Sequence, residues 1–308
     1  MTTARNRVAS RAARSVVVPT LPANPSAADA VQRAIAASVQ RLLRNDPVVR
    51  RGEDPEGVHQ ARVATRRLRS DLRTFAPLLD ARWLEGLRDE LRELAAQLGA
   101  VRDADVLLER LRSATARLPE ADRDTAQHLL DGLEQTRERD RDALLATMRA
   151  VRYRRLLDDL VDAAAHPGVT EAADRPGAEV LPQLAADPWR RLRRRVSRLD
   201  AEPPDADLHE VRIFAKRARY AAEAVAPVAG AMATEFAKAV AAVQEVLGNH
   251  HDAIVAHSWL REAAQRHPAQ SFVAGSLAGF ELAEAQRCRE AWPASWTAAS
   301  AKRLRSWM

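Results

Sequence analysis

The stretches VHQARVATRRLR at residues 58 to 69 and LHEVRIFAKRAR at residues 208 to 219 share one pattern. Each places His-x-x-Arg after an apolar residue and continues into a cluster of Arg or Lys. A second pair of blocks, LGAVRDADV at 98 to 106 and LGNHHDAIV at 247 to 255, repeats at nearly the same offset. Two blocks that repeat together predict an internal duplication of roughly 150 residues.

The composition around these blocks is typical of a helical protein. Ala, Leu, Arg, Glu and Asp dominate, while Gly and Pro fall mainly between long segments of 3.6-residue periodicity. We therefore predict an all-α fold of two four-helix bundles related by a pseudo-two-fold axis. The predicted helices lie near residues 26 to 44, 55 to 76, 80 to 113, 120 to 164, 180 to 199, 205 to 226, 231 to 265 and 268 to 292.

The chain length of 308 residues is enough for two halves that each bury a core. The basic N-terminus lacks acidic residues and a signal-peptide core, which predicts a disordered tail, although a transit peptide shares this composition. A Pro- and Gly-containing segment interrupts the periodicity between the halves. The predicted divisions are a tail at 1 to 25, a first half at 26 to 165, a linker at 166 to 179, a second half at 180 to 295 and a C-terminal tail at 296 to 308.

Charge and cysteine usage bound the compartment and the partners. The formal net charge is +6, from 48 Lys and Arg against 42 Asp and Glu, so the position of the charge matters more than its total. The single cysteine, Cys288, excludes an intrachain disulfide and favours a reducing cytoplasm. No stretch approaches the ~18 apolar residues of a membrane span, so we predict a cytoplasmic protein without a membrane partner.

Helical geometry predicts what the repeated block presents. Residues spaced by three and four fall on one face, which gives two rows of basic side chains. The first basic stripe is roughly 21 Å long and consists of His59, Arg62, Arg66, Arg69 and Arg73. The second basic stripe consists of His209, Arg212, Lys216 and Arg219. The predicted core-facing residues of the first block are Ala61, Ala64, Leu68, Leu72 and Phe75.

Both stripes place like charges three and four residues apart, which costs a few tenths of a kcal/mol per pair. An anionic partner, either carboxylates of a neighbouring helix or an external polyanion, would remove that cost. Further basic segments, WRRLRRRVSR at 189 to 198 and the arginines at 41, 44, 50 and 51, favour the external polyanion.

From about residue 26 to 292 the sequence resembles the CHAD domain family, on VHQARVATRRLR, LHEVRIFAKRAR and the two LG-x-x-x-D blocks. The resemblance implies two four-helix bundles around a basic cleft that binds inorganic polyphosphate without catalysis. Carried over by position, it implies ligand roles for His59, Arg62, Arg66, Arg69, His209, Arg212, Lys216 and Arg219, and Arg73 is added by the helix geometry. No cofactor and no metal ligand are expected. Such binding would serve targeting to polyphosphate granules, recruitment of an enzyme or regulation, and the sequence leaves these three alternatives open.

Three alternatives remain at this point. Phosphate contacts alone would also bind nucleic acid, although aromatic residues are only 4% of the chain and the stripes carry no flanking aromatic apart from Tyr220 that could serve as a stacking platform. His250, His251 and Asp252 contain the His-Asp pair of helical metal-dependent phosphohydrolases, but adjacent helical side chains diverge by about 100°. In a purely structural scaffold the stripes would form internal ion pairs. Asp103 and Asp252, which the two copies share, are expected to pair with an arginine of the basic helix or to cap a turn.

Overall fold

The computed structural model describes residues 16 to 52 and 54 to 308. These residues form helices joined by short connections, without a β-strand among them, so the prediction of an all-α fold is confirmed. The α-helices are α1 (Ala27–Arg51), α2 (Pro55–Thr74), α3 (Ala81–Thr115), α4 (Glu120–Arg149), α5 (Val151–Ala165), α6 (Gly177–Val196), α7 (Asp205–Ala229), α8 (Ala231–Arg266) and α9 (Ser271–Ala299).

Local capping signals explain where the first helices begin. Ser26 and Asp29 form a capping box at the start of α1, in which each side chain accepts from the other residue's backbone N–H. Asp54 precedes α2 and accepts from the backbone N–H of Glu56 at 2.8 Å, while Pro55 occupies the first helical position. The first repeated block therefore lies along one uninterrupted helix.

One predicted helix, near residues 120 to 164, is instead two helices, α4 and α5. Ala150 separates them with extended backbone, at φ −64° and ψ 153°. Arg50 of α1 donates through Nη2 to the carbonyl of Met148 at 2.8 Å and satisfies that helix end. Sequence periodicity cannot reveal this contact between distant residues. With the break at Ala150, the described part of the first half has five helices rather than the predicted four.

The helix α1 extends beyond its predicted end near residue 44. Asp46 is buried in its last turns and accepts hydrogen bonds from the Tyr153 hydroxyl and from Arg50 Nε, both at 2.8 Å. Arg50, one of the basic residues used to infer a polyanion, therefore stabilises the fold between α1 and α5.

The N-terminal tail prediction is wrong for residues 16 to 25, and residues 1 to 15 lie outside the described residues. Val16 is buried, and its carbonyl accepts from the Gln40 side chain at 2.8 Å. Arg33 Nη1 donates to the carbonyl of Pro19 at 2.6 Å. Polar side chains of α1 therefore hold this segment in an extended path along the helix.

The predicted linker and C-terminal tail are also packed against the helices. In the linker, the backbone N–H of Thr170 donates to Leu78 at 2.9 Å, and Gly168 accepts from Asp80 at 2.8 Å. At the C-terminus, α9 continues to Ala299, and a short 3-10 helix then places Leu304 against the core.

Three apolar clusters form the interior of the described residues. The first lies mainly within the first half, and another lies among α6, α7, α8 and α9. The third joins the halves through the far ends of α3, α4, α8 and α9. Contacts across the halves also pair α2 with α7 and α3 with α8, as a pseudo-two-fold relation would require. The duplication itself remains a prediction. In the described residues no helix is both long and apolar enough to cross a bilayer.

Candidate functional site

The first basic stripe lies along α2 as the spacing predicts. The opposite face of the helix is buried in the core through Ala61, Ala64, Leu68, Leu72 and Phe75. Burial of that apolar face holds the basic side chains away from the core.

The two stripes meet where α2 packs against α7. Tyr220 of α7 is buried, and three guanidinium groups surround its ring. The Cζ atoms of Arg66, Arg67 and Arg219 lie 5.4, 5.7 and 5.5 Å from the ring centroid. The negative face of an aromatic ring favours such cations and brings arginines of both helices to one place. We call the surface between the stripes the basic cleft.

Lys216 shows how much positive charge the basic cleft concentrates. Burial lowers the pKa of its ammonium group to about 8, and the charges of Arg212, Arg66 and Arg62 act in the same direction. Arg212 belongs to its own helix, whereas Arg62 and Arg66 belong to the first stripe. The lysine is therefore surrounded by cations from both halves.

The outer part of the first stripe adds further arginines. Desolvation lowers the pKa of Arg69, and Arg92 and Arg88 of α3 lower it further. Desolvation also lowers the pKa of Arg73, followed by the charge of Arg217 on α7. These three additional arginines extend the cationic surface, and they were missed because their helical positions fall outside the repeated stripes.

The glycines of the LG-x-x-x-D blocks lie next to the guanidinium groups of Arg62 and Arg212. A Cβ atom at Gly99 would lie 3.9 Å from Arg62 Nε, and one at Gly248 would lie 3.7 Å from Arg212 Nε. At these distances an added methyl group would be in van der Waals contact with the guanidinium, so each glycine lets the arginine lie close to the helix backbone. The same local arrangement thus occurs in both copies.

The aspartates of these blocks differ. Arg62 Nη2 donates to Asp103 Oδ1 at 2.8 Å, which confirms the predicted pairing for this copy. Asp252 forms no ion pair within 4 Å in the part of the chain that the structure describes, and it lies inside α8 rather than at a turn, so neither predicted role, pairing with an arginine or capping a turn, is found there. Burial raises the pKa of the Asp252 carboxyl, and the charge of Arg212 opposes that shift.

The histidines of the stripes also have different surroundings. Burial lowers the pKa of His59, and the charge of Arg102 on α3 lowers it further. Burial and then Arg212 and Lys216 lower the pKa of His209. The Nδ1 atom of His209 lies 3.0 Å from Nδ1 of His251, so one ring donates and the other accepts.

The arrangement of His250 and His251 bears on a metal site. His250 is buried with Nε2 3.1 Å from Asp205 Oδ1, whereas His251 contacts His209. The two side chains therefore have different partners, as their helical spacing predicts. Among the described residues no cluster of three or more His, Cys, Asp and Glu side chains has an arrangement that could hold a metal ion.

An ion-pair clamp that the sequence analysis missed closes one end of the cleft. Glu223 of α7 accepts from Arg67 of α2 and from Arg219 Nε, the latter at 2.7 Å. Arg67 also lies 3.1 Å from the buried Asp71, and burial raises the pKa of that carboxyl to about 7. The sequence signal was Glu223 itself, which stands where Arg73 ends the first stripe. Beside the clamp, Arg66 and Arg219 line a cavity of about 400 Å³.

Comparison with known proteins identifies a family and proteins of similar structure. A family model of the CHAD domain matches residues 33 to 261. PptA from Streptomyces chartreusis has a similar structure, with a TM-score of 0.73 and 26% sequence identity over 89% of this chain and 99% of that one. The CHAD domain from the plant Ricinus communis gives a TM-score of 0.74 and 28% identity, over 94% of this chain and 96% of that one.

Two curated relatives come from strains of Mycobacterium tuberculosis. The proteins MT2285 (strain CDC 1551 / Oshkosh) and Rv2226 (strain ATCC 25618 / H37Rv) are each 34% identical over 279 residues, which is 85% of this chain and 52% of theirs. The chain thus spans about half the length of the curated relatives it matches. Because the family model covers well over half of the sequence and the solved CHAD domain shares the fold, this chain belongs to the CHAD domain family.

Proposed function

We propose that the protein binds inorganic polyphosphate in the basic cleft and leaves the ligand chemically unchanged. The observation that carries the proposal is the meeting of Arg62 and Arg66 with Arg212 and Lys216, cations of two helices in one cleft. Membership of the CHAD domain family is consistent with this ligand. The finer assignment, with ligand roles for all nine stripe residues, belongs to the same proposal.

The chemistry of the cleft fits a chain of phosphates. Each arginine offers a planar fork of donors to two oxygens, and Lys216 offers a point charge. Among the described stripe residues, ion pairs with carboxylates are formed by Arg62 with Asp103 and by Arg219 with Glu223, so an incoming anion would relieve most of the remaining like-charge repulsion. A polyphosphate supplies one anionic unit after another and needs no further recognition.

The surroundings of Tyr220 favour polyphosphate over single-stranded nucleic acid in this cleft. Base recognition needs an exposed aromatic face on which a base can stack. The Tyr220 ring is buried under the guanidinium groups of Arg66, Arg67 and Arg219, so no base can reach it. Docking the protein onto polyphosphate granules in the cytoplasm is a role that we propose for this binding.

A competition assay tests the proposal. Labelled polyphosphate bound to the protein is displaced by unlabelled polyphosphate, single-stranded DNA or double-stranded DNA at matched phosphate concentration. We expect polyphosphate to compete at about tenfold lower phosphate concentration than either DNA. The affinity should also fall with salt by a log-log slope of several units, at about 0.7 per phosphate neutralised.

Each contrary outcome identifies one alternative. Equal competition by DNA would indicate a general phosphate-backbone binder, and indifference to every polyanion would indicate a structural scaffold. Release of orthophosphate from polyphosphate, measured with and without added divalent metal, would indicate a phosphohydrolase.

A further inference from the structure

A second cationic depression lies away from the basic cleft, between the end of α6 and the C-terminal segment. We call it the C-terminal groove, and its volume is about 590 Å³. Four arginines, two serines, one valine and one tryptophan line it: Arg190, Arg193, Arg194, Val196, Ser197, Trp296, Ser300 and Arg305. None of them belongs to either basic stripe.

Most of the charge in this groove lacks a carboxylate partner. Arg190 pairs with Asp187 of its own helix. Within the described ranges, no carboxylate lies within 4 Å of Arg193, Arg194 or Arg305. Cations commonly occupy the last turn of a helix, where the dipole favours them. The dipole of α6 does not account for Arg305, which arrives from the 3-10 helix Lys302–Arg305.

Arg305 carries a donor that the protein does not satisfy. Its Nη2 donates to the carbonyl of Ser300 at 3.2 Å. Its Nε is buried and has no acceptor among the described residues. The guanidinium also lies over the Trp189 ring, with Cζ 5.8 Å from the ring centroid, so Arg305 adds a fixed positive charge without a carboxylate partner in the described residues to this side of the groove.

Trp296 provides the groove with an aromatic wall. It is half-buried and packs against Trp189, with ring centroids 5.3 Å apart and planes inclined by 33°. Trp189 is buried and is itself held by Phe236, at 5.1 Å and 89°. A ring fixed in this way can stack against a planar ligand with little loss of side-chain entropy. In the basic cleft, by contrast, arginines enclose the Tyr220 ring.

We propose that the C-terminal groove binds a nucleotide unit, with the base stacked on Trp296 and the phosphate bonded by Arg193 and Arg194. Stacking combined with cations is how single strands are held without sequence preference. A free nucleotide has the same chemistry, so the two sources must be separated by experiment. This inference does not depend on polyphosphate binding in the cleft.

The exposed apolar residues argue against a membrane as the ligand of this groove. A basic surface that docks on lipid uses exposed apolar side chains to enter the interface. None of the large exposed apolar residues in the described part of the chain lines the groove. They are Val17, Val151, Met232, Val255, Phe272 and Leu282.

The test uses three probes: an oligothymidylate of about ten nucleotides, an abasic deoxyribose-phosphate oligomer of equal length, and adenosine monophosphate. Arg193→Gln with Arg194→Gln should weaken both oligomers about tenfold. Trp296→Leu should weaken the oligothymidylate about tenfold and leave the abasic oligomer within about twofold. The matched control, Arg154→Gln with Arg155→Gln on the exposed face of α5, should change nothing beyond about twofold.

The comparison of the probes identifies the source of the ligand, and the comparison of the variants identifies the location of the site. Tighter binding of the oligothymidylate than of adenosine monophosphate identifies single strands, and the reverse identifies free nucleotides. Reversal of Arg62 and Arg66 in the cleft should leave the affinity of the preferred probe within about threefold. The proposal is overturned if that reversal abolishes binding, if the Arg193 and Arg194 variant binds normally, or if neither nucleotide probe binds.

Discussion

The two basic stripes derive from matching sequence blocks, yet their neighbours in the structure differ. Arg62 of the first stripe has a carboxylate of its own, Asp103, at 2.8 Å. Arg212 occupies the matching position in the second stripe, and the matching Asp252 forms no ion pair within the described residues. At these matching positions Arg62 is thus partly neutralised by the protein, whereas Arg212 keeps more of its charge for a ligand; in the second stripe the paired cation is Arg219, with Glu223.

The histidines of the two stripes also have different neighbours. His59 faces the permanent cation Arg102, while His209 contacts the neutral ring of His251. Arg102 and His251 occupy matching positions in the two LG-x-x-x-D blocks. The comparison teaches that two copies of one sequence motif can present the same basic residues while the charge beside each histidine differs. That charge depends on the neighbouring residue, which is Arg102 in one copy and His251 in the other.

The largest expected effect comes from reversing charges in either stripe. Arg212→Glu with Lys216→Glu, or separately Arg62→Glu with Arg66→Glu, should weaken long-chain polyphosphate at least about 100-fold. Each pair removes two charge-assisted hydrogen bonds that are worth about 1.5 to 3 kcal/mol apiece. Isothermal titration measures the affinity, and Arg154→Glu with Arg155→Glu controls for the same change in net charge.

Tripolyphosphate should lose less affinity than the long chain in both reversals, because a short ligand contacts fewer of the cations. The structure sharpens this expectation. Arg66 and Arg219 contact one ring, so even a short chain can reach both stripes, and affinity should rise gradually with length. A reversal that spares long-chain binding, or equal affinity for short and long chains, would contradict a shared cleft.

The next effect in size is the pH dependence from Lys216. Its pKa of about 8 in the free protein means that the ammonium group loses its proton as the pH rises through that value. Bound phosphate favours the charged form and raises the pKa, so binding above pH 8 must take up a proton. Affinity should therefore fall about tenfold between pH 7.5 and 9.5, since each pKa unit corresponds to a factor of ten.

Lys216→Arg provides the control for this prediction. Arginine stays charged throughout that pH range, so the variant should bind with less than about a threefold change. Calorimetry in two buffers of different ionisation heat measures the proton uptake directly. The same pH dependence in the variant and the parent protein would assign it to another group.

A smaller effect tests the neutralisation of Arg62 by Asp103. Asp103→Asn should release Arg62 from its ion pair and tighten polyphosphate binding about threefold, because an exposed pair contributes only up to about 1 kcal/mol. Arg62→Gln should correspondingly weaken binding less than Arg212→Gln. The same titration measures the affinity of the Asp103 variant. An unchanged affinity would show that Arg62 and Arg212 are equally available to polyphosphate.

Much of this site could be predicted from the sequence, because helical periodicity fixes which residues share a face. The stripe on α2, its buried apolar face and the Arg62–Asp103 pair all follow from local spacing and repeated blocks. The clamp of Arg67 and Glu223 could not be predicted, because it joins residues 156 positions apart. The enclosure of Tyr220 and the contact of Arg50 with the end of α4 could not be predicted either, because both join distant parts of the chain.

The smallest expected effect concerns His59 and His209, whose lowered pKa values leave both rings neutral in the free protein at pH 7. Bound phosphate favours the imidazolium form, so affinity should be about two- to threefold tighter at pH 5.5 than at pH 7.5. The two rings should not contribute equally. A charged His209 can still donate through Nδ1 to His251, which remains a neutral acceptor because burial lowers its pKa to about 4. Cations lie near both rings, Arg102 near His59 and Arg212 with Lys216 near His209, so the difference rests on the acceptor that His251 provides, and His209→Gln should remove more of the pH dependence than His59→Gln. Titration of the ring resonances by NMR, with and without polyphosphate, measures both pKa values. If polyphosphate raised the pKa of His59 more than that of His209, His59 would be the main source of the pH dependence.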